Sequence, residues 1–147
     1  MAEERKVPIF VGIQIISKSV SEMPVDFSVT PIFGFNIRVE TRVDAQEHLV
    51  MPFVHVTITE TKRTEELAKI IVACLFRIVD FEHEITLNQD GLYNVPIEIE
   101  SLIRPISIST VRGIIYSELR GTHLNNAIMP IIFMDSFTAG NPIGNKL

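Results

Sequence analysis

The sequence predicts an α+β domain in which a four-stranded antiparallel meander is covered on one face by one main helix, with room for a short second helix. Three observations predict it. Four strand-like segments rich in alternating or β-branched residues follow one another, a stretch with helical spacing comes after them, and nothing in the strands carries a catalytic pattern.

From Ile9 to Val20 the alternation is imperfect, with Val11, Ile13 and Ile15 on one side and Gln14 and Lys18 on the other. A turn-like stretch from Pro24 to Pro31 leads into Phe33–Glu40, where Phe33, Phe35, Ile37 and Val39 face one way and Asn36, Arg38 and Glu40 the other. Met51–Glu60 repeats the pattern, with Val54, Val56 and Ile58 opposed to His55, Thr57 and Thr59, and its β-branched content favours a strand. Thr61–Glu66 is a charged connection. Leu67–Phe81 would also suit a buried helix but is read as the fourth strand. As a strand it points Ile71, Ala73, Leu75, Val79 and Phe81 one way and Ile70, Val72, Cys74, Phe76 and Ile78 the other. Two apolar faces need cover on both sides, from the helix on one and another subunit on the other.

Residues 82–96 are polar and turn-rich. The helix is predicted to start near Pro105, because Ile108, Val111, Ile115 and Leu119 recur at spacings of three and four and proline suits a first helical position. Gly121 can take the left-handed conformation that closes it, with Arg120 at the negative end of the helix dipole. Leu124, Ile128, Met129, Ile131, Ile132, Phe133, Met134 and Phe137 then crowd into a stretch broken by Asn125, Asn126 and Pro130. So much apolar surface on an irregular segment must be covered by something. The expected organisation is an N-terminal tail over residues 1–8, one domain over 9–137 and a flexible tail over 138–147.

The 46% hydrophobic content and the mean hydropathy of +0.28 are high for 147 residues, yet no apolar run of about 18 residues exists, so no stable membrane insertion is expected. Excess apolar surface without a span favours an oligomer or a sticky binding face. A net charge of −5 without a basic stripe argues against nucleic acid. The single Cys74 fits a reducing compartment and Met1–Lys6 lacks the features of a signal peptide, so a cytoplasmic location is expected.

Few residues invite chemistry. His83 lies between Glu82 and Glu84 but reads as part of a solvated turn, and His55 as a half-buried strand residue. Cys74 sits in an apolar run, where a small core residue is expected rather than a reactive thiolate. Ser107, Ser109 and Thr110 lack a nucleophile turn, and hydroxyls there ordinarily bond to the helix backbone. The carboxylate pairs Glu98/Glu100 and Glu65/Glu66 show no sign of an acid and a base in separated environments. Gly12 and Gly34 form no phosphate loop. No enzyme activity, metal or cofactor is expected.

The helix ending Arg120-Gly121-Thr122, Pro130 eight residues later and Phe133 three beyond that resemble the SecB family of protein-export chaperones. Weaker echoes are Ile13-Gln14, the strand Val54–Thr59 and the passage from Glu65-Glu66 into the fourth strand, so that residues 9 to 137 are covered. The resemblance implies an ATP-independent holdase that binds non-native polypeptides in apolar grooves, a SecB-like fold, and a homotetramer built as a dimer of dimers through the first strand and the main helix. By position, the client-binding candidates are Phe33, Phe35, Leu124, Ile128, Met129, Ile131, Phe133, Met134 and Phe137. Family members serving export dock the translocase ATPase through acidic residues of the exposed sheet face, where this chain has Ser19 and Lys69. That departure speaks against motor docking and leaves client binding intact. The alternatives are a dedicated chaperone for one client such as an antitoxin, and a small oligomeric ligand-binding domain or enzyme reusing the fold.

Overall fold

The computed structural model describes residues 6–21, 32–61 and 65–132. Four twelve-residue strands, β1 (Ile9–Val20), β2 (Phe33–Asp44), β3 (Leu49–Glu60) and β4 (Glu66–Arg77), form one antiparallel sheet in the order β1-β4-β3-β2. A short helix α1 (Phe81–Glu84), a hairpin of β5 (Thr86–Leu87) and β6 (Tyr93–Asn94), and the long helix α2 (Ile97–Glu118) follow.

The sheet departs from a simple meander in one respect, and connection length explains it. Residues 45–48 and 61–65 are short links that hold β2, β3 and β4 as neighbours, whereas residues 21–32 are long enough to carry the chain across the sheet. β1 therefore lies outside β4, and the order is that of a Greek key. Pro52 sits in the central strand β3, where it can donate no ladder hydrogen bond. Its partner is Thr41 of β2, and the ladder with β4 lapses at Met51 and Pro52.

Leu67–Phe81 resolves into strand β4, the short helix and the turn between them. Its alternation holds: Ile70, Val72, Cys74 and Phe76 are buried beneath α2, while Ile71 and Leu75 are half-buried on the opposite face. β1 deviates from the expected facing. Bulges between Phe10 and Gly12 and between Ile15 and Ser17 insert extra residues, so Ile13, Ile15 and Lys18 pair with Cys74, Val72 and Ile70 and all point to the α2 side. Lys18 confirms this by donating to the Glu118 carboxylate at 2.9 Å.

Helix α2 begins eight residues before Pro105, which lies inside it. The buried positions Ile99 and Ile103 extend the stripe of Ile108, Val111 and Ile115 backward by two turns, and burying that stripe outweighs the hydrogen bond that proline cannot donate. Glu98 and Glu100 in the first turn favour the positive end of the dipole. Glu100 and Arg104 form an ion pair one turn apart, and both reach the Thr41 hydroxyl, which fixes the first half of the helix to β2. Ser107 and Thr110 donate to the Ile103 and Ile106 carbonyls at 2.8 and 2.7 Å, so both hydroxyls serve the helix backbone. Gly121, at φ 79°, supplies the expected left-handed residue after the helix.

Candidate functional site

The residues expected to line a groove divide by location. Ile128 and Ile131 are 63% and 75% exposed, and Phe33 is half-buried against the core. Phe35, Leu124 and Met129 lie in the core, at 4%, 0% and 2% exposure, where no client can touch them in this conformation. Phe133, Met134 and Phe137 fall outside the described residues. The local structure explains the inward set. Beyond Gly121 the Thr122 hydroxyl donates to the Leu119 carbonyl at 2.7 Å and accepts from the Leu124 N–H at 3.1 Å, which turns the chain back under the helix. Arg112 then reaches the Pro130 carbonyl at 3.5 Å, strapping the segment along α2 with Leu124, Ala127 and Met129 facing in.

The larger apolar surfaces lie on regular elements. Ile9, Phe10, Val11, Ile13, Ile15 and Ile16 of β1 are each between 40% and 48% exposed, because α2 packs over β3 and β4 and leaves this edge strand uncovered. Phe10 meets the Phe76 ring edge-on at 4.9 Å. On α2, Leu102, Ile106, Ser109, Gly113 and Tyr116 follow at spacings of four and three and form an exposed stripe opposite the buried one. β1 is an edge strand of the sheet and carries two bulges in its ladder with β4.

Two open depressions accompany them. One, of about 1080 Å³, has an apolar floor from Val7, Pro8, Ile78, Val79, Ile99 and Leu102, with Asp80, Glu84 and Glu98 at its rim. Lys6 bonds to Asp80 at 2.7 Å, which holds the Asp80 carboxyl below its usual range and the Lys6 amine above its own. The other, of about 390 Å³, lies where His48 stacks on Phe81 at 5.0 Å with Tyr93 beyond. Sequence patterning missed these residues because they come together from segments far apart in the chain, the approach to β1, the end of β4 and the start of α2. Leu102 and Ile106 were legible in principle, but a helix start placed at Pro105 cuts their stripe.

Burial pushes the Cys74 thiol up, away from thiolate formation. Among the described residues no cluster of three His, Cys, Asp or Glu side chains could hold a metal, and no helix is long and apolar enough to cross a membrane. His83 is exposed beside Asp80, at 3.7 Å.

His55 sits half-buried on the open face of the sheet, beside Arg38. Burial, and next the Arg38 guanidinium, hold its imidazole below the usual histidine range, and Arg38 donates to Nδ1 at 3.2 Å. The folded state thus favours neutral His55, so the unfolded chain binds more protons as the pH falls below about 6.5. Stability is expected to fall on acidification from about pH 7 to about pH 5 and His55→Gln to flatten that fall. Melting temperatures across the range check it, and superimposable profiles would assign the acid sensitivity elsewhere. Glu40, lowered first by its hydrogen bond from Arg42, contributes stability that is lost as the pH falls from the ordinary glutamate value through its lower folded one.

No protein-family model matches the sequence, and no curated protein matches it either. Among solved structures the chain is similar to the Mycobacterium tuberculosis Rv1957 SecB-like chaperone in complex with a ChAD peptide from the Rv1956 HigA1 antitoxin. The TM-score is 0.58 at 12% sequence identity, over 86% of this chain and 91% of that one. A four-stranded antiparallel sheet, a small hairpin and one long helix, matched over nearly the whole length, give this chain the fold of a SecB-like chaperone.

Proposed function

We propose that the protein is an ATP-independent holdase that assembles with copies of itself and binds non-native polypeptide on apolar surface left open in the assembly. The observation that carries this reading is the amount of apolar surface exposed on well-formed elements: β1, the outer face of α2, and Ile128 and Ile131 after it. Burial of apolar area is favourable by about 25 cal/mol per Å² and makes little demand on client sequence. In this reading β1 and the α2 stripe carry the homotetramer, while Phe33, Ile128 and Ile131, with Phe133, Met134 and Phe137 beyond the described residues, carry the client.

Light scattering of a chemically denatured model protein, diluted with and without this one and without ATP, tests the reading. Suppression of aggregation near one client per assembly is expected. No suppression by an intact oligomer would sink the general holdase.

A second reading, a chaperone dedicated to one client, is favoured by the solved neighbour, which holds an antitoxin peptide. The pairing of Ser19 with Lys69 on the sheet face also leaves export through an acid-dependent motor contact without support. One tight client in pull-downs, with no protection of unrelated proteins, would select this second reading.

A further inference from the structure

The protein is acidic, at −5 overall, yet one of its faces is basic. On the side of the sheet away from α2, β2 presents Arg38 and Arg42, and β4 presents Lys69 and Arg77, all exposed. β1 adds no charge to this side, where it presents Gln14, Ser17 and Ser19 together with Ile9 and Gly12. Of the acids here, Glu66 lies opposite Thr59 at the start of β4, exposed near Lys69, and the other two are engaged. Glu40 lies 3.3 Å from Arg42 and 3.9 Å from Arg38, and Asp44 accepts the Gln46 and Glu47 N–H groups of its turn. Lys69 and Arg77 have no ion-pair partner among the described residues. Between the cations runs a half-buried apolar strip of Met51, Phe53, Ile71 and Leu75, with the Arg42 guanidinium 4.2 Å above the Phe53 ring.

We propose that this open sheet face is a docking surface for an acidic polypeptide segment bearing apolar side chains. Lys69 and Arg77, eight residues apart on one strand, are separated by about 26 Å, and Arg38 and Arg42 lie two strands away, at about 10 Å. An extended segment of about eight residues spans that frame, with carboxylates toward the cations and apolar side chains on the strip. A nucleic acid fits it less well, since phosphates want a continuous cationic track and bases want open aromatic faces. Here Glu40 and the apolar strip interrupt the cations, and Arg42 covers Phe53. The proposal is independent of the holdase reading, because none of these residues belongs to the apolar surfaces assigned to clients or assembly.

Fluorescence anisotropy with a labelled peptide of mixed Glu and Leu, the same peptide with Lys for Glu, and single-stranded oligothymidine tests it. The acidic peptide is expected to bind, to weaken as salt is raised, and to bind about tenfold more weakly to the Lys69→Glu, Arg77→Glu variant. Arg42→Gln, as a second variant, is expected to weaken it in the same direction. Aggregation suppression is expected to be unchanged in both. Equal binding of the two peptides, tighter binding of oligothymidine, no binding of the acidic peptide, or folded variants that bind it undiminished would each overturn the proposal.

Discussion

Leu124→Ala is expected to destabilise the protein by about 2–4 kcal/mol, and Ile131→Ala by less than about 0.5 kcal/mol, although the two residues lie in one irregular apolar segment. Leu124 is fully buried in the cluster built by α2 and the sheet, so truncation removes transfer energy and leaves a cavity that packed isoleucines cannot close. Ile131 is mostly in solvent and leaves nothing empty. The client readout should run the other way. Ile131→Ala combined with Ile128→Ala is expected to weaken aggregation suppression at unchanged melting temperature, whereas Leu124→Ala should act only through the fraction unfolded. Urea unfolding together with the scattering assay separates the two. Equal stability losses at Leu124 and Ile131 would mean that the segment is not strapped to the helix as the Thr122 and Arg112 contacts describe.

That contrast also marks where the sequence is legible and where it is not. Strand alternation from Phe33 to Glu40 and from Val54 to Thr59 reads directly, because one face of each strand is buried by the same helix and period two has no competitor. Leu67–Phe81 reads as a strand with two apolar faces, and the sheet burdens both: one under α2, the other half-buried in the open strip. The start of α2 did not read, since Pro105 is a strong local signal and tertiary burial of Ile99 and Ile103 overrides it. Lys18 did not read either, because a bulge is invisible to a period-two count and moves every later side chain to the other face. In the segment after Gly121 no period exists at all. Inward and outward residues there are decided by two side-chain hydrogen bonds and an arginine strap, which composition cannot weigh.

The same limits apply to function. An apolar excess in the composition announces that some surface must be covered, but only the sheet order tells which. With β1 at the edge beyond β4 and α2 seated over β3 and β4, Ile13, Ile15 and the outer stripe of α2 stay uncovered, while Arg38, Arg42, Lys69 and Arg77 lie on the opposite face of the sheet. A chain built this way can bury one side against its own copies and keep the other in water.

The largest effect expected from any exposed substitution therefore belongs to that apolar side. The wild-type protein is expected to migrate as a multiple of its 16.6 kDa subunit, and Ile15→Asp with Ile106→Asp to reduce it to a single subunit with unchanged circular dichroism. Both residues are more than two-fifths exposed in the isolated chain, so the carboxylates meet water there and subunit stability should shift by less than about 1 kcal/mol. In an assembly through β1 and the α2 stripe the same carboxylates would be buried without partners. That costs several kcal/mol, enough to shift the association equilibrium by about a thousandfold. Size-exclusion chromatography with light scattering reads both arms. A wild-type monomer at high concentration would remove the assembly altogether, and a doubly substituted oligomer would move the interface off β1 and α2. Ser109 and Gly113, between Leu102, Ile106 and Tyr116, leave room for close approach of a second helix, so Gly113→Leu should weaken association without adding charge. Weakening by both the charged and the uncharged variant would identify packing across the stripe, rather than repulsion introduced by aspartate, as what holds the subunits together.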